Sequence, residues 1–301
     1  MQRDEKGPYM KRMVITGANG YLAGLVQLFN KDKFEFVRVS RRDVDYSDPA
    51  AVHAYFDELD FDLLFHTAAN ATTADCENDP EGTHRVNCES AIEIAKVCRE
   101  HDKRMIFIST EQLFNGKSES GPFAENIEPN CVTAYGQQKA EVDAWMRSNM
   151  KNYIILRLSW MFGMAMPGIK PSPGIVGNVI RALKTDTPTL FTCNERRCMT
   201  YAQHLAEQFD KISELKSGVY NFASANDLTT FEAARIVASK LVEAGIAAPD
   251  AVERCILPNH DRYSDRFRDF RLDSSKIQNA GIELGTFEED VDRCLADFGW
   301  R

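Results

Sequence analysis

The sequence predicts an α/β protein built on a doubly wound parallel sheet with a smaller interleaved lobe. Six apolar runs are nearly continuous rather than alternating, which is typical of strands that helices cover on both faces. Helical patterns lie between these runs, and strand–helix alternation of this kind implies right-handed βαβ units. The predicted strands are Arg12–Thr16, Phe34–Val39, Phe61–Thr67, Arg104–Ser109, Tyr153–Ser159 and Val219–Phe222.

The helices between the strands follow from apolar residues that recur every three or four positions. Such a stripe is the face that a helix buries against a sheet. Because the strands are predicted to be parallel, we expect a ligand crevice at their carboxyl ends. Two of the sets are Val52, Tyr55, Phe56 and Leu59, and Ala91, Ile94, Ala95 and Cys98.

Composition limits the classes of function. The chain has 301 residues and a net charge of −9, which argues against a general nucleic-acid binder because such proteins carry a basic face. Residues 1–12 lack the apolar core of a signal peptide, and no stretch reaches the roughly 18 apolar residues of a membrane span. The eight cysteines form no CxxC pair, so we expect free thiols, a cytoplasmic location and no metal site.

A glycine turn follows the first predicted strand. Gly17, Gly20 and Ala23 have the spacing G-x-x-G-x-x-A between that strand and a helix, as in the Rossmann type of sheet. Small residues here permit a tight turn, and the helix N-terminus offers free N–H groups to a pyrophosphate. A structural turn without a ligand is the alternative. The predicted dinucleotide-binding residues of this turn are Gly17, Asn19, Gly20, Tyr21 and Leu22.

The end of the second predicted strand distinguishes the two nicotinamide cofactors. Folds that select NAD usually place an acid there, whereas an arginine suits the 2′-phosphate of NADP. Ser40 and Arg41 stand at this position, and a guanidinium can bind phosphate bidentately. The sequence therefore favours NADP, with NAD as the alternative cofactor and a solvated basic turn as the alternative for Arg41. Asp45, Ala68 and Ala69 are predicted to line the same site.

The pattern changes after about Trp160, where prolines and glycines form a long turn-rich segment. A helix near Ile175–Leu183, a short strand at Thr189–Thr192 and two late helices follow. We predict a dinucleotide-binding domain over residues 1–160 and 199–224, and a substrate-binding lobe over residues 161–198 and 225–301.

A tyrosine and a lysine four residues apart provide a candidate proton donor. Tyr135 and Lys139 share one face of a predicted helix, and a nearby ammonium lowers the pKa of a phenol. Thr110, at the end of the fourth predicted strand, can hydrogen-bond a substrate carbonyl. Asp143 extends the helix face and is expected to be exposed. The alternative is a half-buried aromatic beside a surface lysine, but the glycine turn upstream favours catalysis.

These motifs resemble those of the extended short-chain dehydrogenases/reductases and, more narrowly, of the dTDP-4-dehydrorhamnose reductases. The Tyr–Lys pair marks the wider group, and the Phe-Asn-Gly, Ser-Trp and Leu-Asp-Ser-Ser-Lys segments point to the narrower one. The similarity runs over most of the chain. The matching segments are Thr16–Ala23, His66–Asn70, Arg85–Asn87, Ile108–Gly116, Ala134–Lys139, Leu156–Gly163 and Arg271–Ile277.

The resemblance implies reduction of the 4-keto group of a 6-deoxy sugar carried on a nucleoside diphosphate, with hydride from the cofactor. Tyr135 would donate the proton, Lys139 would hold the nicotinamide ribose, and Thr110 would orient the carbonyl. Trp160 would lie near the sugar, with a core aromatic at the junction of the lobes as the alternative. Arg197, with its neighbour Arg196, would contact the diphosphate or form a solvated loop pair.

The chain departs from the family pattern after Thr110. The family usually has Asp-Tyr-Val-Phe-Asp-Gly there, whereas this chain has Glu-Gln-Leu-Phe-Asn-Gly. Gln112 stands where the family has a tyrosine that lines the sugar pocket, and an amide cannot perform the acid–base work of the glutamate in the related dehydratases. The remaining alternatives are a non-catalytic dinucleotide-binding regulatory subunit, like that of methionine adenosyltransferase, and a nucleotide-sugar epimerase. A homodimer is left open.

Overall fold

The computed structural model describes residues 10–169, 171–172 and 174–301. Residues 1–9, part of the segment predicted to lack a signal peptide, lie outside the described residues. The strands are β1 (Lys11–Thr16), β2 (Phe34–Val39), β3 (Leu63–His66), β4 (Arg104–Thr110), β5 (Tyr153–Leu158), β6 (Trp160–Phe162), β7 (Thr189–Thr192), β8 (Glu195–Arg196), β9 (Met199–Tyr201), β10 (Gly218–Phe222), β11 (Ile256–Asn259) and β12 (Arg268–Asp269).

Helices connect most of these strands. A π-helical turn over Arg85–Glu89 and a 3-10 turn over Glu111–Phe114 interrupt the pattern. None of the helices in the described ranges is long and apolar enough to cross a membrane. The α-helices are α1 (Tyr21–Phe29), α2 (Pro49–Asp57), α3 (Thr73–Asn78), α4 (Pro80–His84), α5 (Ser90–Glu100), α6 (Ala134–Asn149), α7 (Gly174–Lys184), α8 (Ala202–Glu207), α9 (Phe209–Ser213), α10 (Thr230–Glu243), α11 (Pro249–Cys255), α12 (Ser275–Asn279) and α13 (Phe287–Asp297).

The central sheet has the strand order β10-β5-β4-β3-β1-β2, and each neighbouring pair is parallel. This confirms the predicted doubly wound sheet and its strands, whose ends agree with the prediction to within two residues. The chain runs from β1 outward to β2 and then returns to the other side of β1 as β3. The loops after β1 and β3 therefore diverge at their carboxyl ends, which opens the crevice where such sheets bind ligands.

Helices cover both faces of this sheet, as the continuous apolar runs predict. Successive side chains of a strand point to opposite faces. Met13 and Phe65 accordingly pack with Phe209 on the face covered by α1, α8 and α9, while Val14 and Phe107 pack on the face covered by α2, α5 and α6. Because all five side chains are buried, the sheet provides a rigid base for the loops at its edge.

The second lobe has a core of its own, formed by α7, α10, α11 and α13 with the short pairs β7–β11 and β6–β9. Capping boxes led by Thr229 and Thr286 begin α10 and α13. The proposed division of the chain stays a prediction, although the cores interleave more finely than it supposes. Tyr201 packs in the core of the second lobe, and Ile277 packs against the central sheet.

The expected exposure of Asp143 is wrong. Its carboxylate is buried and accepts a hydrogen bond of 2.9 Å from Arg157 Nε at Oδ2, and Arg157 Nη2 forms an ion pair with the same oxygen at 2.9 Å. Burial raises the pKa of Asp143, although Arg157 acts in the opposite direction. The spacing that aligns Asp143 with Lys139 places both on the face of α6 that packs against the sheet.

The Asp143–Arg157 pair gives a test of the packing of α6. We expect Asp143→Asn to lower the free energy of unfolding by about 3 kcal/mol or more, because it leaves a buried guanidinium without its countercharge. Urea denaturation measures this loss. The control is Glu253→Gln, which breaks the exposed Arg235–Glu253 pair of 2.6 Å and should cost about 1 kcal/mol or less. Equal, small losses in both variants would contradict the role of the buried pair.

Candidate active site

A cavity of about 1080 Å³ lies at the carboxyl edge of the sheet, where the loops after β1, β2 and β3 meet. Eight of the residues predicted to bind the cofactor line it. Arg42, Tyr46 and Thr67 also line it, although the sequence motifs do not single them out. The predicted residues at the cavity are Gly17, Asn19, Gly20, Ser40, Arg41, Asp45, Ala68 and Ala69.

The glycine turn is held in a conformation that requires glycine. Gly17 has a φ of +60°, and a Cβ there would lie 2.9 Å from Thr67 Oγ1 and 3.0 Å from Ala68 N. Gly20 donates a backbone hydrogen bond of 2.7 Å to Gly17 O and stands at the N-cap of α1, without a side-chain cap. The backbone N–H groups in the first turn of α1 therefore lie beside the cavity without a side-chain cap, and they can bind an anion there.

Tyr21 and Leu22 are placed differently from the other predicted residues. Their side chains are buried beneath the turn, and Tyr21 Oη donates to Met164 O at 3.1 Å. Neither side chain lines the cavity. These two residues can contribute to a dinucleotide site only through their backbone amides at the start of α1. The glycine pattern predicts that they bind the dinucleotide, but it does not show whether the backbone or the side chain makes the contact.

The loop after β2 is ordered by its own acidic residues. Ser40 Oγ donates to Asp43 Oδ2 at 2.8 Å, and Asp45 Oδ1 accepts from Ser47 N at 2.8 Å. Arg41 is exposed at the cavity rim. The serine and the aspartates thus shape the loop, while the guanidinium of Arg41 is presented at the cavity.

The predicted catalytic residues lie at the carboxyl end of β4 and in the first turns of α6, and none of them lines this cavity. Tyr135 is the second residue of α6, which begins at an N-cap where Thr133 Oγ1 accepts from Gly136 N at 3.2 Å. Lys139 Nζ donates to Ile108 O at 2.9 Å and lies 6.0 Å from the centre of the Tyr135 ring. Lys139 is buried, so its interpretation as a surface charge is wrong.

Burial shifts the pKa values of both groups. It lowers the pKa of Lys139 to about 7. The pKa of Tyr135 is raised, first by burial and then by the Glu111 carboxylate, which is opposite to the lowering expected from the sequence. The phenol is therefore protonated at neutral pH. Thr110 is buried beside these groups, where its Oγ1 accepts from Gln112 N at 3.2 Å.

A second cavity, of about 490 Å³, lies between the edge of the sheet and the second lobe. It adjoins the first, since Thr72 lines one and Thr73 the other. Gln112, Trp160 and Arg197 all line it, so the structure brings together the three residues predicted to bind substrate.

Arg197 is largely buried, with 13% of its side chain exposed, so the solvated loop pair is wrong for this residue. Its Nη1 lies 3.3 Å from Glu111 Oε1 and its Nε lies 2.9 Å from Glu195 Oε1. The Trp160 and Phe270 rings flank the guanidinium at 5.6 and 4.8 Å. Burial raises the pKa of Glu111, against the opposing effect of Arg197. This network joins the strand end that bears Thr110 to the second lobe.

Three arginines that the sequence motifs do not indicate also line the second cavity. Arg181 and Arg262 are exposed there, and Arg268 is half-buried. Arg181 lies on α7, Arg262 lies in the loop that follows β11, and Arg268 is the first residue of β12. No local motif marks them, because the tertiary packing of the lobe alone brings them together.

The family model described as "RmlD substrate binding domain" matches residues 10–299. The chain belongs to this family. The match covers both lobes, and thus includes the glycine turn, the Tyr135–Lys139 pair and both cavities.

Relatives of known name align with most of the chain. The "Probable low-salt glycan biosynthesis reductase Agl14" of Haloferax volcanii is 26% identical over 94% of this chain and 97% of its own length. The dTDP-4-dehydrorhamnose reductase of Aggregatibacter actinomycetemcomitans is 25% identical over 91% and 95%. Methionine adenosyltransferase 2 subunit beta of Bos taurus is 23% identical over 97% and 90%.

Solved structures share the fold. The dTDP-4-dehydrorhamnose reductase of Bacillus anthracis, in complex with NADP, superposes with a TM-score of 0.81 at 20% identity. The superposition covers 96% of this chain and 100% of that one. The extended Rossmann architecture predicted from the sequence is therefore confirmed.

The crowding at Gly17 can be tested by comparison with a second glycine that also has a positive φ but has free space around it. Gly245 has a φ of +71°, and no atom lies within 4 Å of the position that a Cβ would take there. We expect Gly245→Ala to lose about 1–2 kcal/mol of unfolding free energy, the cost of a left-handed residue. Gly17→Ala should lose more and also weaken NADPH binding, because its Cβ meets Thr67 and Ala68. Urea denaturation and NADPH fluorescence titration measure the two effects, and equal losses with unchanged binding would contradict the crowding.

Proposed function

We propose that this protein is an NADP-dependent oxidoreductase that reduces the 4-keto group of a nucleotide-linked 6-deoxy sugar. The main support is the Tyr135 ring, whose centre lies 6.0 Å from Nζ of the buried Lys139. A cavity lined by the glycine turn and a second cavity lined by both lobes are present in the same protein, although neither is lined by Tyr135 or Lys139. The family and the relatives named as reductases support the same reaction.

The first cavity fits a dinucleotide. Its volume of about 1080 Å³ is at the upper end of ordinary ligand sites, and the open N-terminus of α1 adjoins it. Gly17, Asn19 and Gly20 would hold the pyrophosphate, with the backbone amides of Tyr21 and Leu22. When bound, NADPH supplies the hydride. The other residues proposed to hold the cofactor are Ser40, Arg41, Asp45, Ala68, Ala69, Tyr135 and Lys139.

Tyr135 is proposed as the proton donor to the carbonyl oxygen. Its raised pKa keeps the proton on Oη until that oxygen acquires negative charge. As the proton leaves, phenolate charge develops, and Lys139 in its protonated form stabilises that charge more strongly in a buried site than it would in water. Thr110 Oγ1 is proposed to hold the carbonyl oxygen in position for this transfer.

The second cavity is proposed to receive the sugar and its diphosphate. Gln112 Oε1 accepts from Asn115 Nδ2 at 2.8 Å, which fixes the amide at the cavity wall. Arg197 is engaged by two carboxylates, so we propose that it and Trp160 form the sugar-facing floor. The exposed Arg181 and Arg262 also line the cavity, and we propose that they contact the diphosphate in place of the predicted Arg197, because exposed guanidinium groups remain accessible to a ligand.

A regulatory role is the second candidate function. The Bos taurus relative is named as a subunit of methionine adenosyltransferase, and the altered segment after Thr110 is consistent with lost turnover. Incubation with NADPH and an authentic 4-keto nucleotide sugar distinguishes the two functions, because a reductase consumes NADPH and a non-catalytic subunit does not. A nucleotide-sugar epimerase is the third alternative, and net consumption of NADPH would exclude it.

The setting of the protein is part of the proposal. All eight cysteines are free thiols, which favours a reducing compartment such as the cytoplasm. A nucleotide sugar is the proposed partner of the second cavity. A homodimer stays a prediction that sedimentation of the purified protein measures.

Removal of the Tyr135 hydroxyl tests the proton-transfer role. We expect Tyr135→Phe to lower kcat for dTDP-4-dehydrorhamnose by at least about 100-fold, the usual contribution of a general acid. NADPH binding should be unchanged, since the ring remains. Absorbance of the reduced nicotinamide follows turnover. The control is Tyr153→Phe at the start of β5, which should turn over normally, and a Tyr135→Phe enzyme as active as that control would refute the role.

Arg41 tests the choice of cofactor. A charge-assisted hydrogen bond contributes about 1.5–3 kcal/mol, so Arg41→Ala should raise the Kd for NADPH about 10-fold or more. The Kd for NADH, which lacks the 2′-phosphate, should stay the same and serves as the internal control. Fluorescence titration gives both constants. A parallel loss of affinity for the two cofactors would place the 2′-phosphate elsewhere.

A further inference from the structure

Three side chains with metal-binding atoms meet outside both cavities. His84 ends α4, Cys88 lies in the following π-helical turn, and Glu141 lies on α6. One imidazole nitrogen, the thiol sulfur and one carboxylate oxygen all lie within 4.8 Å of one another. His84 Nε2 is 2.9 Å from Glu141 Oε2. The cysteine spacing predicted no metal site. Spacing along the chain does not reveal ligands that come together only in the folded protein.

The other nitrogen of His84 has a carboxylate partner. Nδ1 lies 3.2 Å from Glu89 Oε1, one helical turn further along the chain. A histidine that binds zinc commonly donates its second N–H to a carboxylate, which fixes the tautomer and the ring orientation. Glu89 therefore directs Nε2 toward Cys88 and Glu141, as such a carboxylate does in a zinc site.

The π-helical turn brings the cysteine to the cluster. Arg85–Glu89 is wound more widely than an α-helix, and such turns occur often at functional sites. Cys88 is fully buried, whereas His84 is half-buried and Glu141 is exposed. The cluster thus has a sulfur ligand on its protein side and an open side from which an ion can enter.

We propose that His84 Nε2, Cys88 Sγ and Glu141 Oε2 bind one Zn²⁺ ion, with water as the fourth ligand. One nitrogen, one sulfur and one oxygen donor suit zinc, which accepts all three, whereas Ca²⁺ and Mg²⁺ require oxygen ligands. Three protein ligands around an open position match the number that zinc sites with an exchangeable water use. None of the three proposed ligands lines either cavity.

An ion pair without metal is the competing explanation. Burial acts to lower the pKa of His84, but its bonds to Glu141 and Glu89 prevail and raise it. His53 offers the matched comparison, since its ring nitrogens lie 2.9 Å from Glu93 and 3.9 Å from Glu100. His53 therefore also contacts two carboxylates, but it is not part of a three-ligand cluster among the described residues. Zinc binding should therefore depend on Cys88 and not on His53.

Cobalt and zinc titrations of the full chain test the site. The purified protein, freed of metal with EDTA and desalted, is titrated with Co²⁺ under reducing conditions. We expect one equivalent to produce a thiolate-to-cobalt charge-transfer band and tetrahedral visible bands, which Zn²⁺ then abolishes. Competition with a chromophoric chelator gives the Zn²⁺ affinity of each variant. His53→Gln should match the unaltered protein.

The variants distinguish zinc ligation from surface binding. Glu89→Gln should weaken Zn²⁺ binding about 10- to 100-fold, the usual effect of losing a carboxylate that orients a metal-binding histidine. Cys88→Ser should abolish the charge-transfer band and weaken binding by more than Glu89→Gln does. If Cys88→Ser does not fold, Glu141→Gln tests the site in its place. This variant changes an exposed residue and should also weaken Zn²⁺ binding. Absence of the band, or equal weakening by His53→Gln and Glu141→Gln, would overturn the proposal.

Discussion

A lysine ammonium buried against the end of β4 is the constraint on which the site depends. Lys139 has its hydrogen bond with Ile108 O, and its Nζ lies 4.4 Å from the centre of the Phe107 ring. Desolvation of this charge is costly, and the ring and the carbonyl dipole offset part of the cost. Burial, followed by the charge of Lys139, lowers the pKa of His66 to about 3, so this histidine stays neutral beneath the glycine turn. A single buried cation on α6 thus influences a titratable group at the end of β3.

The two lobes are coupled by a second, largely buried cation. Arg197 joins Glu111, next to Thr110, to Glu195 of the second lobe. Glu195 also accepts a hydrogen bond of 2.9 Å from Thr230, the first residue of α10. Breaking a buried network of this kind leaves an uncompensated charge, so the network stabilises the contact between the two lobes beside the second cavity. The geometry beside Thr110 therefore depends on both lobes.

The central sheet and its edge could be predicted from the sequence because their signals are local. Continuous apolar runs indicated the strands, and the glycine spacing indicated the turn at Gly17. The environment of the side chains could not be predicted in the same way. Asp143 and Arg197 carry charge and occur in polar stretches, and only their partners, distant in sequence, explain their burial. The raised pKa of Tyr135 could not be predicted for the same reason, since it comes from burial and the Glu111 carboxylate rather than from Lys139, the neighbour that the sequence indicates.

The central claim is that hydride and proton reach one carbonyl beside the Tyr135–Lys139 pair. Transfer of deuterium to a 4-keto nucleotide sugar from NADPH that carries deuterium at both C4 positions of the nicotinamide measures this directly. We expect a product that carries one deuterium at C4 of the sugar, as read by mass spectrometry and NMR. A product without deuterium at C4, or recovery of both compounds unchanged, would contradict it.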